Sequence, residues 1–270
     1  MPDIYANIAS ADPAFVRQLA DRLELRAADP LQRAMLHAYL EDVPFLDGAQ
    51  VLEVGCGSGA IARFLARWPG VQRVLAMDPS PVLLERAREL AAGISNISFE
   101  LADGRSLSVD EESIDVVVFH TRLCHVPEPH RALAEAFRVL RAGGRMAIFD
   151  GDYATTTVAI GPGDPLQSCI EAAVGSLIHD PWLVRHLPVL VSAAGFEMWN
   201  FRGHAYTRTD DAAYLLALVE TGADFLGANG RAGSDLSAAL KAEARRRVAS
   251  GTFFGHIAYA SLLARKPPLA

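Results

Sequence analysis

Apolar residues recur at helical spacing through the first forty positions: Phe15, Leu19 and Leu23, then Leu31, Met35 and Tyr39. Asp12-Pro13 and Asp29-Pro30 stand just ahead of these runs, as an N-cap followed by proline in the first helical turn. Two helices are predicted, closed by a turn at Asp47-Gly48. From there short apolar runs alternate with amphipathic ones. Strands are predicted at Val51–Val54, Arg73–Met77, Ile97–Leu101, Ile114–Phe119 and Arg145–Phe149. Between them fall helices at Ile61–Trp68, from Ser80-Pro81 with Val82, Leu83, Ala87 and Leu90, and at His130–Arg141, stopped by Gly143-Gly144. Ile114–Phe119 is apolar on both faces, as a central strand covered on both sides must be. This rhythm predicts an α/β, doubly wound and mostly parallel sheet.

Beyond residue 150 the pattern loosens. A short helix is expected at Leu166–Leu177, another at Trp182–Ala194 ending at Gly195, and a sixth strand at Phe196–Phe201. Helices follow around Tyr214–Phe225 and Leu236–Val248, and a last strand at Gly255–Leu263. The expected organisation is an N-terminal helical cap over 1–47 and a main domain over 48–270. Helical insertions near 151–181 and 210–250 are placed as lids, or else as cover for a sheet face.

The chain has 270 residues, 51% hydrophobic and 21% charged, with a net charge of −7. Binding to phosphate backbones needs clustered cations. Arg245-Arg246-Arg247 is the one tight basic cluster and reads as a solvated helix face, so nucleic acid is not an expected partner. The three cysteines, Cys56, Cys124 and Cys169, have no metal-knuckle or redox-pair spacing and read as reduced thiols of a cytoplasmic protein. "MPDIYANIAS" lacks the pattern of a signal peptide, and no apolar run approaches the roughly 20 residues of a membrane span, so no membrane insertion is expected. Whether the chain forms a homodimer stays open.

The chemistry concentrates after the first predicted strand. In "VLEVGCGSGAIARFLA" glycines at 55, 57 and 59 let a ligand approach the backbone, and the following helix offers free N–H groups. Glu53, where the strand runs out, suits an ammonium group better than a pyrophosphate. Asp78 ends the second strand, 23 residues after Gly55, where a carboxylate accepts from ribose hydroxyls. That position fits a nicotinamide dinucleotide and S-adenosylmethionine (SAM) equally. Asp103 and Gly104 end the third strand, where an acid and backbone groups at Ala102 or Gly104 meet an adenine.

Taken in order, E-V-G-C-G-S-G, M-D-P-S, L-A-D-G, D-V-V-V-F-H-T-R-L-C-H-V-P-E-P and L-R-A-G-G-R-M-A-I-F-D resemble class I SAM-dependent methyltransferases, in the small-molecule type 11 or quinone-biosynthesis-like branch. The resemblance is specific over 51–150 and only general over 151–270. It implies a Rossmann-like, seven-stranded sheet with an antiparallel last strand. It further implies SAM lying across the strand ends against Gly55, Cys56, Gly57, Asp78, Pro79, Ala102, Asp103, His120 and Thr121. In this family the residue matching His125 often faces the reaction centre, so His125 is the candidate base or acceptor-orienting group, with anchoring of its own turn as the alternative. His120 is the candidate cofactor-side contact.

Arg122 departs from the small or apolar residue expected there, which suggests an anionic acceptor or a solvent-reaching side chain. Asp150, Asp152 and Tyr153 are candidates for the acceptor pocket, and Tyr5 for closing over it. The lid segments bring Trp182, Trp199, Tyr206, Phe225, Phe253 and Phe254, as pocket wall or as core. His179, His204 and His256 have no assigned role. Asp150 and Asp152 lack a third ligand at a suitable place, so no metal is expected. The function implied is methyl transfer from SAM to a small apolar or aromatic metabolite, oxygen being favoured over nitrogen or carbon. The alternatives are a SAM-fold binding protein without methyl transfer and an NAD-dependent reductase.

Overall fold

The computed structural model describes residues 8, 11–210 and 212–268. Tyr5 lies outside the described residues. The chain opens with α1 (Pro13–Ala28) and α2 (Pro30–Leu40). The carboxylate of Asp12 accepts from the N–H groups of Ala14 and Phe15 at 2.9 and 3.0 Å, and that of Asp29 from Leu31 and Gln32 at 2.8 and 3.1 Å. Both predicted caps thus satisfy first-turn donors that would otherwise be orphaned.

The alternating region forms β1 (Ala49–Val54), α3 (Ala60–Leu65), β2 (Val71–Asp78), α4 (Pro81–Leu90), β3 (Ile97–Leu101), β4 (Ile114–His120), α5 (Pro129–Val139) and β5 (Leu140–Thr157). Then come α6 (Leu166–Leu177), α7 (Leu183–Ala193), β6 (Glu197–Arg208), α8 (Ala213–Ala228), α9 (Ser234–Ala249) and β7 (Gly255–Arg265). One seven-stranded sheet has the order β3-β2-β1-β4-β5-β7-β6. The first five strands run parallel, while β7 is antiparallel to both β5 and β6. The expected Rossmann-like sheet with an antiparallel last strand is what forms. β1 and β4 lie at its centre, and Val116 to Phe119 are fully buried.

Boundaries differ from expectation at several elements; β6, for one, runs on past Phe201 to Arg208 paired with β7. α5 ends at Val139, and Gly143-Gly144 does not stop it. The glycine pair lies in an irregular start of β5, where the β4 register jumps from Ile114↔Leu140 to Val116↔Arg145. There Gly143 donates to Lys266 O and Lys266 donates to Gly144 O. β5 also runs eight residues past Phe149, because β7 pairs with it in register through Asp152↔Ala258 and again at Thr157↔His256. Partnering by a distant strand overrides the polar composition of 150–157.

α6 follows β5, and α8 and α9 precede β7; α6 and α8 pack on each other. Their approach is set by Gly222, where an added Cβ would lie 1.7 Å from the carbonyl oxygen of Cys169. Gly222→Ala gains about 1 kcal/mol of helix propensity but forces the helices apart. A net loss of about 2–3 kcal/mol is expected from overpacking, read as a lowered Tm by circular dichroism. An unchanged Tm would contradict the close contact. The basic cluster is not all solvated: Arg245 and Arg246 pair with Glu220 and Glu243, whereas Arg247 is buried on Asp164 at 2.6 Å.

Candidate functional site

The C-terminal ends of β1, β2 and β4 converge, and the loops leaving them build the site. At the end of β1 the backbone turns through Gly55, Gly57 and Gly59 with φ of +80°, +55° and +75°. Gly55 and Cys56 both donate to Met77 O, at 2.7 and 2.9 Å. Asp78 then fastens the two loops together: Oδ2 accepts from Gly57 N and Oδ1 from Ser80 N, each at 2.9 Å. Each oxygen keeps a further lone pair for a ligand. Burial raises the Asp78 pKa, opposed chiefly by Arg122 and then by those two N–H groups.

Glu53 is 1% exposed, and its Oε2 has no hydrogen-bond partner among the described residues. Burial first, and Asp78 second, push its pKa up to about 8, against a lowering by Arg63. An orphaned buried carboxyl oxygen, beside a second carboxyl that keeps spare lone pairs, leaves acceptors open to a ligand's donors. It fits a ligand that brings an ammonium group and hydroxyls. The glycine turn fits the same ligand, since its surface is bare backbone: a Cβ on Gly57 would sit 2.7 Å from Leu23 Cδ1 of α1. The residues present therefore suit SAM. α3 has six residues, so the cradle is the turn itself and the expected helix-end contribution is minor. Cys56 is buried and its thiol pKa is pushed up, which makes it a wall and not a nucleophile.

After β4 the chain passes through Thr121 at φ +50°, a strained conformation for a β-branched residue. Its N–H donates to Phe149 O at 2.6 Å, and its hydroxyl accepts from Arg26 Nη2 of α1 at 2.5 Å. His120 hydrogen-bonds Tyr39 through Nδ1 at 3.0 Å and stacks on Phe149 with ring centres 4.8 Å apart. Burial, then Arg26, holds its pKa well below the usual imidazole range, so it stays neutral. His125 ends a 3-10 turn, Leu123–His125, with its N–H on Arg122 O at 3.0 Å. Behind that turn Asp150 accepts from Cys124 N at 3.1 Å and Gly151 N at 2.9 Å. His125 lies close enough to act electrostatically on both Asp150 and Asp78.

These parts face one cavity, with about 1230 Å³ of atom-free space counted out through its open mouth. Glu53, Gly55, Cys56, Gly57, Asp78, His120, Thr121 and His125 all line it, as does Tyr153. Pro79, Ala102, Asp103 and Gly104 do not; they stand at the ends of β2 and β3 beside it. Asp103 is gripped by Arg105, with Nη2 on Oδ2 at 2.6 Å, which holds its carboxyl below the usual range. Asp150 and Asp152 are not pocket residues. Asp150 is wholly buried under the 3-10 turn, and Asp152 pairs with Arg185 at 2.9 Å. None of the six lid aromatics singled out from the sequence lines the cavity: Trp182 and Trp199 are exposed, and Tyr206 and Phe253 are core. His204 and His256 hydrogen-bond Ser261 and Thr207. Among the described residues no three His, Cys, Asp or Glu side chains converge as a metal site would require.

Sequence reasoning missed the other two walls. One is cationic, with Arg22 and Arg26 of α1 and Arg33 of α2; the other is apolar, with Ala173, Val174 and Leu177 of α6 and Tyr214 and Leu218 of α8. The spacing of Arg22 and Arg26, one helical turn apart beside Leu19 and Leu23, was the available signal.

A family model described as a methyltransferase domain matches residues 52–148. The methyltransferase GfsG of Streptomyces halstedii is 33% identical over 176 residues, covering 63% of this chain and 62% of that protein. The phthiotriol/phenolphthiotriol dimycocerosates methyltransferase of Mycobacterium tuberculosis is 30% identical over 203 residues, covering 69% and 74%. Among solved structures, the [4+2]-cyclase SpnF superposes with a TM-score of 0.57 at 22% identity, over 88% of this chain and 82% of that one. The chain spans 53% of one further curated relative that it matches and 38% of another. No described helix is long and apolar enough to cross a membrane.

Proposed function

This chain belongs to the class I SAM-dependent methyltransferases, and from that premise we propose that it methylates a small acceptor, at oxygen, within the cavity described above. The observation that carries this is the orphaned Glu53 oxygen beside Asp78, under a glycine turn of bare backbone. Glu53 and Asp78 would hold the ammonium and ribose ends of SAM, with Gly55, Cys56, Gly57, His120 and Thr121 along it and Pro79, Ala102, Asp103 and Gly104 at its adenine end. When bound, SAM supplies an already activated methyl group for in-line displacement.

The chain's own residues then have to align, exclude water and manage one proton. Alignment of well-held reactants supplies about 7–11 kcal/mol of a barrier. The apolar faces of α6 and α8 present an acceptor body to the cofactor side and keep water out. The insertions carrying them act as the lid, and α1 and α2 as the cap that closes the opposite side. His125 is the group placed to take a hydroxyl proton or to orient the acceptor, its 3-10 turn held from behind by Asp150 through Cys124 N–H. SpnF shares the fold and is a cyclase, so the fold alone does not carry this reading.

Parallel calorimetric titrations with SAM, S-adenosylhomocysteine and NAD test it. Micromolar binding of the first two, about 8 kcal/mol, is expected, with no uptake of NAD. Asp78→Asn, which keeps an acceptor for Gly57 N–H, is expected to weaken both by about 100-fold. Uptake of NAD alone, or indifference to Asp78→Asn, would sink the reading. Formation of S-adenosylhomocysteine from SAM in the presence of a hydroxylated metabolite panel separates transfer from mere binding.

A further inference from the structure

Among the described residues, the charges around the cavity do not balance. Besides Arg26, which is hydrogen-bonded to Thr121, Arg22, Arg33 and Arg122 line it, against two carboxyls, Glu53 and Asp78, the first of which is held neutral by burial. Elsewhere in the molecule most arginines have an anionic partner, including Arg63, Arg138, Arg185 and Arg247. Arg22, Arg33 and Arg122 form no ion pair within 4 Å among the described residues. Arg22 Nη1 and Arg122 Nε are buried with no hydrogen-bond partner there, and Arg122 is only 9% exposed. A buried charged group left unsatisfied forfeits its hydration with nothing in return. Such a cost persists where a ligand relieves it.

The cofactor supplies only part of the missing charge. SAM brings one carboxylate, enough for one guanidinium fork, together with an ammonium and a sulfonium that draw on Glu53 and Asp78, so at least two of the three arginines still lack an anion. A ligand seated on Gly55 also claims the space now filled by Arg122, whose Cγ and Cδ lie 2.3 and 2.2 Å from where a Cβ would stand. That guanidinium then needs another anion. The wall facing the arginines is apolar, from Val174 and Leu177 of α6 to Leu218 of α8.

We propose that the acceptor is an amphipathic carboxylic acid, its carboxylate held by Arg22, Arg33 and Arg122 and its apolar body laid against α6 and α8. This rests on reading the cavity as the methyltransferase site. A guanidinium fork matches a carboxylate with two parallel N–H···O bonds, which an alcohol or ester of the same shape forfeits. A buried charged group left unpaired by a neutral analogue makes discrimination large.

The test uses protein saturated with S-adenosylhomocysteine, titrated with octanoate against 1-octanol and with 3-phenylpropanoate against 3-phenylpropanol. At least tenfold tighter binding of the acid is expected in one matched pair, and the preference is expected to vanish in Arg22→Met and to weaken in Arg33→Met. Equal affinity of acid and alcohol in both pairs, or no binding of either acid, overturns the proposal while the methyltransferase reading stands. Loss of S-adenosylhomocysteine binding in Arg22→Met, with the acid preference retained, assigns Arg22 to the cofactor and also overturns it. Failure of the wild-type protein to bind S-adenosylhomocysteine fails the underlying reading instead.

Discussion

Glu53→Gln is expected to abolish a proton release that accompanies cofactor binding in the wild-type protein. The Glu53 carboxyl, buried and beside Asp78, has its pKa pushed up to about 8 and is neutral at pH 7. A cationic ligand group at its orphaned oxygen favours the ionised form, so binding drives the proton off. Close to one proton per site is expected at pH 7, from titrations of S-adenosylhomocysteine in two buffers of different ionisation enthalpy. Affinity rises by up to tenfold per pH unit between about 5 and 8. The glutamine variant releases none from this site and binds more weakly throughout that range.

The same group sets a slope in the stability of the ligand-free protein. Its folded pKa lies above the unfolded value of 4.5, so the native state holds the extra proton between 4.5 and about 8. Glu53 thus favours the fold below that window, and the contribution is lost as pH rises through it, by about 1.4 kcal/mol per unit at most. Asp78 slopes the same way, because burial raises its pKa too. The informative quantity is the difference between variant and wild type. The Tm of Glu53→Gln should overtake that of the wild type as pH rises toward 8; a difference independent of pH would mean that Glu53 is already ionised.

How much of this was legible in the sequence depended on how local each cause is. The caps at Asp12 and Asp29, the buried run of β4 and the glycine turn are dictated by neighbours within a few residues, and each forms where its residues predict. Asp78 was legible as a ligand-facing acid, but its second task, fastening Gly57 and Ser80, depends on β2 lying beside β1. The full length of β5 was hidden because its partner is β7, about a hundred residues on. Asp150 looked like a pocket residue for want of any local sign that it sits beneath the 3-10 turn. The arginine wall was hidden for a related reason. Arg22 and Arg26 lie on an amphipathic helix whose period says which stripe is buried, and nothing local says that the flanking cations turn toward a cavity. The aromatic residues misled in the opposite direction: apolar character marks a pocket wall and a core alike, and here Tyr206 and Phe253 went to the core.

The cradle itself is tested by Gly55→Ala, for which loss of cofactor binding is expected beyond any loss of stability. Two costs add at this position. At φ +80° an alanine is strained by roughly 1–2 kcal/mol. Its Cβ would also stand 2.2 Å from Arg122 Cδ and 2.7 Å from Nε, in the space where a ligand meets bare backbone. Gly93→Ala separates the two. Gly93 has nearly the same backbone, φ +87°, but a Cβ there would meet nothing within 4 Å. Gly93→Ala should lower the Tm through strain alone and leave S-adenosylhomocysteine binding unchanged. Gly55→Ala should lower the Tm further and weaken binding by 100-fold or more. Adding Arg122→Ala to Gly55→Ala is expected to recover part of the stability, because the guanidinium stem no longer collides, and none of the affinity, because the methyl group still occupies the ligand's path. Recovery of binding in that double variant would mean that Arg122, and not the turn, is what the methyl group disturbs.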